Sequence, residues 1–149
     1  MPAHRLPHRA IRISLAVVAW FTLLAALVGM FGLTLADGMG LPAAWLDATT
    51  FSSWMVPGIL LGVFVGGSQA LALVARGRRL RLGWGLHAAA GLVVLVWIFV
   101  ELAIVLEWSP LHAVFFAAGV IQISLALLAL GAWPSPVFAT DPQPAPPRR

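Results

Sequence analysis

The sequence predicts an all-α four-helix transmembrane bundle with both termini cytoplasmic and a short interfacial helix in the first outer loop. Three observations carry that prediction. The 149 residues are 61% hydrophobic and 9% charged, which leaves too little polar surface to cover a water-facing globule. The apolar residues gather in four runs, each long enough to cross about 30 Å of hydrocarbon as a helix. All nine basic residues are Arg, in three patches: Arg5, Arg9 and Arg12; Arg76, Arg78, Arg79 and Arg81; Arg148 and Arg149.

The first span is predicted at about 13–36, a stretch without charge. Arg5, Arg9 and Arg12 before it and Thr34-Leu35-Ala36 near its end also fit a secretory signal peptide. The apolar run is about twice as long as the core of one, so a retained span is expected. In the loop after it, Leu41, Trp45, Ala48 and Met55 recur at near-helical spacing and Pro42 suits a helix start. Trp45, Phe51 and Trp54 are residue types that settle at headgroup depth, which places the interfacial helix here. The second span, at about 56–75, has Pro57 in its first turn, where the missing N–H costs nothing. The third is expected at about 82–106 and the fourth at about 110–132, again opening on a Pro. Residues 1–132 thus form one membrane domain, and 133–149, rich in Pro, cannot hold a helix and reads as a disordered cytoplasmic tail.

Three, four and two arginines fall on the N-terminus, the second loop and the C-terminus, against none in the loops around 37–55 and 107–109. Positive residues stay inside, so the expected location is a bacterial inner (plasma) membrane, multi-pass, with N-in and C-in topology. The expected partner of these arginines is the lipid bilayer and its anionic headgroups. No basic stripe alternates with aromatic residues, so nucleic acid is not an expected partner. The chain has no Cys, which excludes disulfides, thiol catalysis and Cys-ligated metals.

Polar side chains inside a span are expensive and therefore informative. Glu101 lies about five residues, or roughly 7–8 Å, from the outer end of the third span. The outer half offers it no Lys or Arg, so its only cationic partner would be a His. His87, Ala90, Val94, Trp97 and Glu101 succeed each other at steps of three and four, so both ionisable groups share one helix face. Gly58, Gly62 and Gly66 form two overlapping GxxxG repeats, a pattern for close helix packing inside a bundle or between copies. Gln69 falls near that stripe, and Phe115, Ala118, Gln122 and Ala126 share one side of the fourth span. Counting from the loops sets Gln69, His87 and Gln122 at one depth in the cytoplasmic half, a predicted polar layer. Glu101 lies nearer the other face, with Phe116 opposite and His112 closer to the surface.

There is no HExxH, GxGxxG or P-loop and no pair of carboxylates in one span, and the serines lack a His at an activating spacing. No catalytic residue, metal site or cofactor is expected. The segment Phe51-Ser52-Ser53-Trp54-Met55-Val56-Pro57-Gly58, the Gly-rich second span, and then Trp97, Glu101, Trp108, Pro110, Phe116 and Gly119 resemble a group of small uncharacterised four-span bacterial integral membrane proteins. The resemblance covers about 41–119 and implies four spans, hence a retained first span. It implies no activity or ligand.

The sequence supports two main functional expectations. One is a non-enzymatic accessory membrane subunit, in a homo-oligomer or a larger complex, motivated by the glycine stripe and the missing catalytic set. The other is proton-coupled transport or binding of a small molecule through Glu101, with Gln69, His87 and Gln122 as a polar path and a dimer to enlarge the bundle. An enzyme acting on lipid or quinone is a third reading, which requires Glu101, His112 and a serine to converge on a cavity.

Overall fold

The four apolar runs become four helices: α1 (His8–Leu35), α2 (Met55–Gly77), α3 (Gly83–Val105) and α4 (Pro110–Ala129). The computed structural model describes residues 8–47 and 49–131. The expected tail at 133–149, Arg5, Arg148, Arg149, Ala132 and Ala48 lie outside the described residues. All four helices are long and apolar enough to cross a membrane, and among the described residues there is no strand.

The helices form a ring in which each packs on the next and α1 closes against α4, leaving α2 and α4 to face each other across the bundle axis. Alanines are frequent on the inside, where Ala19, Ala26, Ala72, Ala90 and Ala126 are buried beside Leu15, Val65, Val94 and Ile98. Large ones point out, with Val17, Phe31, Val63, Phe64 and Phe99 each more than half exposed. Hydrocarbon solvates Val and Phe as well as a protein core does, so helix association here relies on close backbone approach and on hydrogen bonds.

Glycines permit that approach at two seams. At the first, Gly58, Gly62 and Gly66 turn toward α1. A Cβ on Gly58 would come within 2.8 Å of Leu33 Cβ, one on Gly62 would overlap the Met30 side chain, and one on Gly66 would touch Ala26 Cβ at 3.6 Å. The glycine stripe therefore serves a contact inside the bundle and is not a free surface for a second copy. At the second seam, a Cβ on Gly91 would lie 3.0 Å from the Gly119 carbonyl oxygen, and one on Gly119 would lie 3.1 Å from that of Gly91. Helices α3 and α4 thus cross almost backbone to backbone.

Helix α2 is not regular. Residues Leu61–Gly66 form a π-helical turn between α-helical ends. Such a turn holds one residue more than an α-turn, so it resets the faces of everything beyond it, including Gln69.

The loops are tight. After α1 the backbone runs left-handed through Asp37, Gly38, Met39 and Gly40 (φ 44°, 82°, 58° and 80°). Trp54, 7% exposed, lies directly on Gly38, so its ring packs against the protein at this end of the bundle. The helical part of the loop is a single 3-10 turn, Ala43–Leu46, opened by Pro42. Thr49 ties this turn to the segment leading into α2, its Oγ1 donating to the Leu46 carbonyl at 2.8 Å and accepting from the Phe51 N–H at 3.0 Å. Between α2 and α3, Leu80 N–H donates to the Ala75 carbonyl at 2.9 Å and Arg79 N–H to that of Arg76 at 3.1 Å, with Arg79 at φ 56° where glycine is usual.

The seams make a direct test by substitution. Gly91→Val should push α3 from α4 and lower stability by about 1–3 kcal/mol, because neither Ile123 nor the Gly119 carbonyl can yield. Gly67→Ala, where a Cβ meets nothing within 4 Å, should stabilise by about 0.5–1 kcal/mol. Thermal unfolding of both variants in one detergent checks the contrast; equal effects would mean the seam is not tightly packed.

Candidate functional site

The buried polar groups form two separate sets. In the first, Gln69 on α2 and Gln122 on α4, both fully buried, pair across the bundle axis. Gln69 Nε2 donates to Gln122 Oε1 at 3.1 Å, and Gln122 Nε2 donates to Gln69 Oε1 at 2.9 Å. Their remaining protons reach α3: Gln122 Nε2 donates to the His87 carbonyl at 3.2 Å and Gln69 Nε2 to the Ala90 carbonyl at 3.5 Å. One pair of amides therefore joins three helices. The close crossing at Gly91 and Gly119 brings the α3 carbonyls within reach of a side chain on α4.

His87 takes part in this layer through its backbone and not through its ring. The side chain is 1% exposed, and its Nδ1 has no hydrogen-bond partner among the described residues. Sequence spacing places a residue on a helix face, but it does not say which of its polar atoms will be used.

The second set is at the other end of α3. Ser109 caps α4: its Oγ accepts from Leu111 N–H at 3.3 Å, while its own N–H donates to His112 Nδ1 at 2.9 Å. That bond occupies the Nδ1 lone pair and leaves Nε2 as the proton-bearing nitrogen of the neutral ring. Nε2 faces Glu101 Oε2 at 3.9 Å, and the Glu101 side chain is 40% exposed. The separation is too long for a hydrogen bond and suits an ion pair or a bridging water. Glu101 thus has the His112 ring as its neighbour, and Phe116 meets Phe99 edge-on, with ring centroids 6.1 Å apart. Trp108 stacks on His112 at 5.7 Å. Ser109, His112 and Glu101 are neighbours, with the Nδ1 lone pair taken by the Ser109 N–H and the Ser109 Oγ accepting from Leu111 N–H.

About 21 Å of α3 separates Glu101 from His87, and the buried side chains of Val94 and Ile98 lie between them on the inward face. The candidate residues are therefore a buried clamp and a distant rim pair, not one site. Among the described residues, no group of three His, Cys, Asp or Glu side chains is placed to hold a metal.

A third feature lies where charge patterning pointed only to topology. At the end of the bundle carrying the second loop, Arg9, Arg12, Arg76, Arg79, Trp84 and His87 line a cavity of about 850 Å³. Antiparallel packing of α1 on α2 brings the start of one beside the end of the other and so joins two arginine patches. Their shared position between short loops was the available signal.

A ring of four apolar helices around buried amides defines a polytopic α-helical membrane protein. No known protein family's profile matches this chain, and no curated protein or solved structure matches it.

The clamp sets a further test. Gln69→Leu or Gln122→Leu alone leaves one buried amide unpaired and should cost about 1–2 kcal/mol. The double substitution should cost clearly less than the two singles added, because nothing polar is then left stranded. Thermal unfolding of the four proteins in a double-mutant cycle reads this, and simple additivity would show that the amides do not act as a pair.

Proposed function

We propose that this is a non-enzymatic integral membrane subunit of a bacterial inner membrane, with both termini inside, that works as a preformed four-helix unit against another membrane protein or a second copy. The observation that carries this reading is the closed interior. The two interior amides are turned on each other and on α3 carbonyls, and apolar side chains such as Leu15, Val65, Val94 and Ile98 fill much of the rest. Such an interior supports rigidity and offers no polar passage along the bundle. Because the Gly58, Gly62 and Gly66 stripe is engaged by α1, association uses the outer faces.

Two measurements test this. The chain has no Cys, so single cysteines report sidedness cleanly. A membrane-impermeant maleimide should label Thr50→Cys in spheroplasts and Gly77→Cys only after permeabilisation; the reverse pattern would invert the orientation. Native mass spectrometry and in-membrane crosslinking should recover a second copy or a partner subunit. Monomer alone, with nothing co-purifying, would sink the subunit reading.

The Glu101–His112 pair favours a second reading, proton-coupled binding of a small molecule at the rim. A carboxylate 3.9 Å from an imidazole and 40% exposed within a span is a polar pair reachable from outside the bundle. Glu101→Gln and Glu101→Ala decide it. If both variants fold, reach the membrane and support the cell as the parent does, Glu101 has no coupling role.

A further inference from the structure

The arginine cavity has the composition of a binding site. Arg9 and Arg12 come from α1, Arg76 and Arg79 from the end of α2, and none of the four forms an ion pair among the described residues. Arg12 and Arg79 both repel Arg76. Four guanidiniums facing one concavity lower their mutual repulsion most by sharing an anion, and their planar forks suit phosphate oxygens. Arg76 is held in place by stacking on Trp84, with Cζ 3.9 Å from the ring centroid. His87 also contributes to the wall, though its Nδ1 is itself enclosed and out of reach of the cavity.

The rest of the wall is apolar. Ile13, Ala16, Trp20 and Leu73 continue it, and Arg9, Arg12, Ile13, Ala16 and Trp20 fall on a single stripe of α1 that runs about 16 Å toward the bundle centre. Ile13 and Trp20 are 54% and 52% exposed, so the stripe is open to the surrounding hydrocarbon. A soluble anion would use only the basic mouth, whereas a lipid would use both parts.

We propose that this cavity binds a lipid whose headgroup carries two phosphates, with the phosphates among Arg9, Arg12, Arg76 and Arg79 and an acyl chain along Ile13 and Trp20. Two phosphates match four guanidiniums better than one does. The inference rests on the chain being embedded in a bilayer and not on which leaflet the arginines meet. It is also independent of whether the bundle is a subunit of something larger.

The experiment uses the full chain in detergent micelles, with tetraoleoyl cardiolipin, dioleoyl phosphatidylglycerol at equal phosphate, and sodium pyrophosphate as the three probes. Native mass spectrometry and thermal shift read binding. Cardiolipin should be retained and raise the melting temperature more than phosphatidylglycerol does. Arg12→Gln and Arg76→Gln should each weaken it about tenfold. Arg78→Gln and Arg81→Gln, which remove the same charge outside the cavity, should change it by less than about twofold. Equal losses from all four arginine variants would reduce the effect to diffuse surface attraction and overturn the site. Pyrophosphate binding as tightly as cardiolipin would overturn the lipid, and phosphatidylglycerol binding as tightly would overturn the two-phosphate headgroup.

Discussion

An amide stranded in hydrocarbon has no water to turn to, and this constraint organises the bundle. Gln69 and Gln122 sit on helices that are not neighbours in the ring, so their two hydrogen bonds cross the axis and fix the diagonal. The same amides then reach the carbonyls of His87 and Ala90 on α3. Three helices are thereby held at one rotation and one depth. Apolar packing alone could not select that arrangement, since the outward residues are as comfortable in lipid as against each other.

Close approach and polar bonding depend on each other here. If α3 and α4 stood a methyl group further apart at Gly91 and Gly119, the His87 carbonyl would move out of reach of Gln122. If the amides were absent, little would favour such a narrow crossing over a looser one. The α1–α2 seam is a different case, in which glycines and the Met30 and Leu33 side chains interlock without any polar partner. The protein therefore has one seam made specific by hydrogen bonds and one made specific by shape.

Much of this architecture was legible in the sequence, because the requirement for a long apolar run is a strong constraint and few other segments meet it. The common depth of Gln69 and Gln122 was also readable, since antiparallel helices joined by short loops share a ruler. The orientation of the His87 ring was not, because it depends on which backbone carbonyls a glycine crossing exposes. Nor was the side on which Gly58, Gly62 and Gly66 would be used, since the same repeat serves a neighbour in the chain or a second copy. The arginine cavity was hidden for another reason. Topology alone accounts for its residues, and topology says nothing about whether they also converge.

The π-helical turn in α2 carries a consequence for lineage. Leu61–Gly66 accommodates one residue beyond what an α-helix would need over the same stretch, and that extra residue turns the later part of α2 by about 100°. Deleting one residue there would close the π turn into regular α-helix and leave Gln69 aimed at Gln122, whereas an uninterrupted α-helix of the present length would turn it away. The interval between Gly58 and Gln69 can therefore be filled in two ways that keep the clamp, with this π turn or as plain α-helix one residue shorter. Chains descended from the same ancestor would be free to exchange Val63 or Phe64, which face outward, and to lack this one residue, but a second insertion would swing Gln69 off its partner.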